Sequence, residues 1–252
     1  MLSRLNSAMF IVALSLLALL LAACGYGQPS KPAAVTPASG TATADKLPPQ
    51  QFAAHYVDSA PVHGKTFALV PDKVLINFDF SLAEPSSITV TKDGASVQTG
   101  KTAISGANSL HLSATLPGTA GDGIYLVKYK ACWPDRSCHD GQFSFTVDSR
   151  AKASYVDITG KSDVALDMKD LRFLPASIII SKGTKVTWTN REASIHFVNT
   201  DPHPSHNNLP DLNSLELRES QSYSYTFNQP GEWAYHCSAH FPLGMTGSII
   251  VQ

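Results

Sequence analysis

Charged side chains are scarce in this chain. Asp, Glu, Lys and Arg make up 15% of its 252 residues, and 19 basic against 20 acidic residues leave a formal net charge of −1. A nucleic-acid partner wants a clustered basic face, so this balance gives no electrostatic basis for one. Helical periodicity is missing as well. No long stretch keeps apolar residues at a 3.6-residue spacing, which argues against a helical bundle. What the chain does carry is 16 Gly, 16 Pro and 43% hydrophobic residues. That mixture suits turn-rich β structure, and the length suits two domains of ordinary size.

Only four cysteines occur. The first, Cys24, ends an apolar stretch from Ala8 to Ala23, interrupted at Ser15 and preceded by the positive Arg4. At about 16 residues this stretch falls short of the roughly 20 that a spanning helix needs, which weakens the alternative of an uncleaved anchor. Leu21-Ala22-Ala23-Cys24-Gly25 resembles the lipobox of bacterial lipoproteins. The resemblance implies cleavage before Cys24, lipidation of Cys24, and a chain held on a lipid bilayer outside the cytoplasm. Cys132 and Cys138 then sit close together in an exported, disulfide-permissive setting. A bridge between them closes a short loop, worth roughly 2–2.5 kcal/mol in the chain-entropy model. The alternative is a metal site shared with His139.

Residues 1–23 thus read as a signal peptide and 24–50 as a tether. Gly25 to Gln50 is dominated by Pro, Ala, Thr, Ser and Gly and cannot bury a core. Residues 51–149 read as a first domain. Val74, Ile76, Phe78 and Phe80 alternate at period two, as do Tyr125, Val127 and Tyr129, and Phe143, Phe145 and Val147. Ile88-Thr89-Val90 and Ala95-Ser96-Val97 flank Asp93-Gly94, a hairpin signal. Residues 150–163 form a polar connection. A second all-β domain, 164–252, has strands at Val164–Met168, Ile178–Ile180, Val186–Trp188, Tyr223–Phe227, Trp233–Cys237 and Ser248–Val251.

The chemistry is concentrated in Tyr235-His236-Cys237-Ser238-Ala239-His240-Phe241-Pro242-Leu243-Gly244-Met245. A thiolate, an imidazole three residues on and a thioether five residues beyond that are the ligand types of a blue-copper centre. One loop cannot surround an ion, so a second imidazole must come from a distant strand. Val186-Thr187-Trp188-Thr189-Asn190-Arg191-Glu192-Ala193-Ser194-Ile195-His196 resembles the segment leading to the upstream copper histidine of amicyanin. The Cys-x2-His-x4-Met spacing resembles plastocyanin. The resemblance implies a cupredoxin Greek-key sandwich holding one type 1 copper through His196, Cys237, His240 and Met245. One departure is Phe197, where these families commonly have asparagine; its backbone N–H remains able to reach the cysteine sulfur. Zinc normally takes no methionine. A dinuclear copper centre would need a second cysteine in the loop, and Ser238 breaks the patterns of the multicopper enzymes.

The first domain resembles the CopC family of Ig-like copper-binding β-sandwiches through His55-Tyr56-Val57-Asp58-Ser59-Ala60-Pro61, Gly123–Tyr129 and Gly141–Val147. That family binds copper(II) with an N-terminal histidine and an Asp-x-His pair. Here Asp135 stands at the aspartate position but Ser137 replaces the histidine, His139 lies two residues further on, and the tether precedes His55. The resemblance therefore implies the fold with the metal site lost or rebuilt. His203 and His206, in Asp201-Pro202-His203-Pro204-Ser205-His206, read as part of a solvated loop, with a second metal as the alternative. The expected function is one-electron transfer by a membrane-tethered copper protein, not a catalyst. A redox partner is expected to dock at the edge of His240 within an apolar collar of Phe241, Pro242 and Leu243. Copper storage, delivery or resistance, using His55, His63, His139, His203 and His206, is the alternative.

Overall fold

A computed structural model describes residues 47–252; Cys24 and the apolar segment before it lie outside the described residues. The first sandwich is built from β1 (Tyr56–Ala60), β2 (Thr66–Phe67), β3 (Lys73–Phe78), β4 (Ala83–Lys92), β5 (Ala95–Ser96), β6 (Ala103–Ser105), β7 (His111–Thr115), β8 (Gly123–Cys132) and β9 (Cys138–Val147). One sheet runs β1-β3-β7-β6 and the other β2-β9-β8-β4-β5. Period-two alternation drives their packing. Tyr125, Val127 and Tyr129 of β8 are buried while Lys128 and Lys130 are exposed, so β8 offers one apolar face. That face, with Phe143 and Phe145 of β9, meets Val74, Ile76 and Phe78 of β3 in one core.

Local chemistry sets the turns. Asp93 and Gly94 link β4 to β5 with φ of 49° and 84°, the left-handed conformations a two-residue hairpin requires. The expected strand through Phe80 ends earlier, at Phe78, because the Asp79 N–H turns to donate to His55 O. Phe80 is half exposed and stacks on the His55 ring, 5.0 Å away. Nor do the last residues before Gln51 stand free. The carbonyls of Pro48 and Pro49 accept from Ser144 Oγ and Gln142 Nε2, and Gln51 pairs with Gln142.

The second sandwich contains β10 (Val156–Asp157), β11 (Asp163–Lys169), β12 (Arg172–Leu174), β13 (Ser177–Ile180), β14 (Lys185–Asn190), β15 (Asn199–Thr200), β16 (Ser222–Thr226), β17 (Gly231–His236) and β18 (Thr246–Val251). Its sheets run β10-β13-β18-β17-β15 and β12-β11-β14-β16, around a core centred on Trp188, Tyr235, Phe173 and Ile249. The segment expected as a plain polar connection is partly ordered. Ser149–Ser154 forms a 3-10 turn, and β10 joins the sheet in parallel with β13.

Strand β17 is buried on both sides, and its alternation divides its duties. Trp233, Tyr235 and the following Cys237 belong to the second core. Ala234 packs into the first core, and Glu232 clamps the first sandwich: its Oε2 accepts from the N–H groups of Ala68 and Leu69 at 2.6 and 2.9 Å. Its other oxygen accepts from Tyr155 Oη and Ser248 Oγ, so the buried charge is fully hydrogen-bonded. The same row continues to His236, whose Nδ1 donates to Asp201 Oδ1 at 2.8 Å; Asp201 Oδ2 accepts from Lys65 of the first sandwich at 2.9 Å.

Candidate metal centre

Three donor atoms converge at one end of the second sandwich. Cys237 Sγ lies 3.7 Å from His196 Nδ1 and 3.4 Å from His240 Nδ1, and all three are within 4.8 Å of one another. A metal at ordinary thiolate and imidazole bond lengths separates such S and N atoms by roughly 3.5–3.8 Å, so the spacing suits one shared ion. The elements explain the convergence. His196 follows β14 after a short excursion and is pinned by reciprocal backbone bonds with Leu217. Cys237 is the first residue after β17, and the 3-10 turn Ser238–Leu243 brings His240 back over it. Met245 closes the loop: it is buried, its N–H donates to His240 O, and its carbonyl accepts from Cys237 N. Gly244 permits that closure with φ of 81°.

Cys237 and His196 are tuned by their surroundings. Burial pushes the Cys237 thiol up, opposed by backbone N–H groups of Phe197, His240 and Ala239. The Phe197 N–H donates to Sγ at 3.3 Å, so the bond survives the loss of the asparagine side chain expected at that position. Burial also pushes His196 down, against the pull of Glu192. His196 Nε2 donates to Glu192 Oε1 at 2.7 Å, which leaves the Nδ1 lone pair facing the sulfur. Burial alone would raise the Glu192 carboxyl. The N–H groups of Leu171 and Asp170, together with His196, hold it below the usual carboxylate range.

The model of the copper binding proteins of the plastocyanin/azurin family matches residues 160–252, and the CopC domain model matches residues 56–148. The chain is 34% identical to plastocyanin of Scenedesmus fuscus over 100 residues, covering 38% of this chain and all of that protein. The chain belongs to the plastocyanin/azurin family. It is also 36% identical over 90 residues to chloroplastic plastocyanin of Tetradesmus obliquus, and 37% over 82 residues to amicyanin-alpha of Methylorubrum extorquens. These matches cover 34% and 32% of this chain, which spans 62% and 66% of the two relatives. Copper is the cofactor of the family, and the donor set of this cupredoxin domain fits it: one buried cysteine sulfur, two imidazoles and the buried Met245 of the same loop.

The CopC domain is different. Cys132 and Cys138 form a disulfide. Asp135 Oδ1 accepts from Ser137 Oγ and Ser137 N. His55 donates to Asp79 at 2.8 Å, and His55 and His139 lie against Trp133. Among the described residues, no group of three metal-type side chains converges in this domain. His63 accepts from the Ser144 N–H.

The histidine loop departs from expectation. It is not solvated: Asp201 and Pro202 are buried, and His203 and His206 are half-buried. They converge with His236 in a second group of three imidazoles. His206 Nε2 lies 3.1 Å from His236 Nε2 and 3.3 Å from His203 Nδ1. The collar also differs, because Phe241 is half-buried and stacks on His203 at 4.8 Å, leaving Pro242 and Leu243 exposed. Glu192, Asp201 and His236 were not singled out as site residues by sequence. The first has a local signal, its place four residues before His196; the other two depend on strand pairing.

Proposed function

We propose that the protein is a type 1 copper electron carrier working outside the cytoplasm, with His196, Cys237, His240 and Met245 as the copper ligands. The convergence of Cys237 Sγ with two imidazole Nδ1 atoms on separately anchored segments carries this reading. Bound copper supplies a one-electron couple, and a thiolate with two imidazoles and a weak thioether is the ligand type that serves it. The residues do the rest. Reciprocal bonds to Leu217 fix His196, and the Cys237–Met245 backbone bond fixes the loop, so ligands stay in place when charge changes. The Phe197 N–H moderates the negative charge on sulfur. His240 is half-buried beside exposed Pro242 and Leu243, a small apolar surface on which a redox partner protein would dock.

Anchoring is part of the proposal: Leu21-Ala22-Ala23-Cys24 marks Cys24 for lipidation on a bacterial membrane. The disulfide favours an oxidising compartment. Copper storage or delivery is the second reading, favoured by the gathered histidines His203, His206 and His236.

The deciding experiment is the visible spectrum of the copper-loaded protein. An intense thiolate-to-copper band is expected, abolished in Cys237→Ser while circular dichroism still reports β structure. A colourless copper complex of the unsubstituted protein overturns the assignment. Copper retained through repeated reduction in the presence of a moderate chelator supports the carrier; copper lost on reduction supports delivery.

A further inference from the structure

We propose that His203, His206 and His236 form a second metal site, for a divalent first-row ion of the copper(II)–zinc(II) class. It is separate from the ligand set above and rests on a different observation, the convergence of three imidazoles between the two sandwiches.

The distances suit one shared ion. Two imidazole nitrogens bound to one ion at about 2.0–2.1 Å stand roughly 3.3 Å apart in tetrahedral geometry. Here His206 Nε2 is 3.1 Å from His236 Nε2 and 3.3 Å from His203 Nδ1. Hydrogen bonds alone serve this arrangement poorly. His236 Nδ1 donates to Asp201, so Nε2 of the neutral ring has a lone pair and no proton. His206 Nε2 carries at most one proton, yet it faces His236, His203 and Ser238 Oγ (3.1 Å) together. A cation satisfies the converging lone pairs at once.

The outer groups are those a metal histidine wants. The buried Asp201 orients His236, a carboxylate–histidine pair, and is held in turn by Lys65. A second buried carboxylate, Asp58, holds the loop by accepting from the Ser205 N–H at 2.9 Å and adds negative charge nearby. Access is open as well: His203 lines a cleft of about 230 Å³ between the sandwiches, with Asp58, His63 and Phe241. Three neutral imidazoles without a thiolate select copper(II) or zinc over harder ions, with copper(II) the tighter. Because His236 and Cys237 are adjacent in sequence, an ion here is held by the residue next to the proposed thiolate ligand, on the opposite face of the strand. Its charge disfavours the more positive oxidation state at that ligand.

The test uses the full-length protein with one equivalent of copper loaded, titrated with zinc(II) by calorimetry and metal analysis. One zinc per chain is expected, with a rise in the midpoint potential of the copper band. His203→Ala and His206→Ala should each weaken zinc binding at least tenfold and remove the rise, while His55→Ala changes neither. No zinc uptake, or uptake indifferent to His203→Ala and His206→Ala, overturns the site. Colour follows Cys237 and zinc follows the two loop histidines, so this reading and the copper assignment fail separately.

Discussion

The two sandwiches place cysteine at the same point of their architecture and use it in opposite ways. Each has a long hairpin, β8–β9 in the first and β17–β18 in the second, and each hairpin carries a tyrosine directly across from a glycine. These are Tyr129 opposite Gly141 and Tyr235 opposite Gly247, with the ring lying where a Cβ on the glycine would sit. Beyond that pair the strands differ. In the first hairpin Cys132 meets Cys138 across the ladder and the end is sealed by a disulfide. In the second, Cys237 has no thiol partner among the described residues, and the connection to Met245 arches back to bring His240 over the sulfur. A short sealed loop gives stability without chemistry. A longer loop that leaves its thiol free and buried provides a metal donor, and its stability must come from the tyrosine, the backbone bonds and the bound ion.

The largest effect in this comparison comes from removing the tyrosines. Deleting a buried aromatic side chain costs about 3–5 kcal/mol. Tyr235→Ala should therefore lower stability by that amount and also weaken or broaden the copper band, since Tyr235 directly precedes His236 and Cys237 and packs against Trp188 at 5.5 Å. Tyr129→Ala should cost a similar amount in chemical denaturation and leave the band unmoved. If both variants disturb the band equally, the hairpins are not independent and the comparison breaks.

Next in size is the sealed end. Replacing Cys132 and Cys138 together by serine should cost roughly 2–2.5 kcal/mol, the loop-closure value for their separation of 6 residues. Copper content and the absorption band should stay constant, because the disulfide lies in the first sandwich and the three convergent donors in the second. Thermal unfolding with and without reductant measures the first quantity and metal analysis the second.

Much of this contrast was legible in the sequence, and the unreadable parts have a common cause. Alternation at Tyr125–Val127–Tyr129 and Phe143–Phe145–Val147 announces strands because each strand contains its own period. The donor spacing from Cys237 to Met245 is equally local, and it named three of the side chains that the fold brings to one end of the sandwich. What the local pattern did not show was how the two sandwiches meet. His203 and His206 looked solvated because polar, proline-rich segments usually are. Here Ser205 N is held by Asp58 and Asn207 is paired with Asn77, both on the first sandwich more than a hundred residues away. The outward-facing row Glu232, Ala234, His236 gave no sign that a second domain covers it. Phe80 fits the period of β3, yet the chain leaves the sheet two residues earlier.

A smaller effect tests whether the second loop depends on support that the first does not need. Glu192 orients His196 by a 2.7 Å bond and is itself held by two backbone N–H groups. Carboxylates in this position typically contribute ten- to a hundredfold to metal affinity. Glu192→Ala should weaken copper binding about tenfold, near 1.4 kcal/mol, whereas Glu192→Gln retains an acceptor and most of the affinity. Competition with a chelator of known strength reads both. Equal affinity for all three proteins would show that packing around His196 orients the ring without Glu192.

The smallest effect is the most discriminating, because it asks what each tyrosine hydroxyl contributes. Tyr129 Oη accepts from the Ala53 N–H at 3.3 Å, so Tyr129→Phe leaves a buried backbone donor without its partner. That change should cost about 1 kcal/mol. Among the described residues, Tyr235 Oη and the Nε1 of neighbouring Trp188 are buried without a well-formed hydrogen bond, and the indole N–H only weakly opposes the rise that burial imposes on the Tyr235 hydroxyl. An unsatisfied buried hydroxyl already bears its desolvation cost in the folded protein, so Tyr235→Phe should be neutral or stabilising by up to about 1 kcal/mol. The packing of the ring over Gly247 is unchanged by the substitution, and the copper band should not move. Urea midpoints for the two variants, measured side by side on copper-loaded protein, are expected to shift in opposite directions or to differ by the full 1 kcal/mol. Should Tyr235→Phe lose as much stability as Tyr129→Phe, its hydroxyl has a partner after all. The two hairpins would then be alike in everything except the fate of their cysteines.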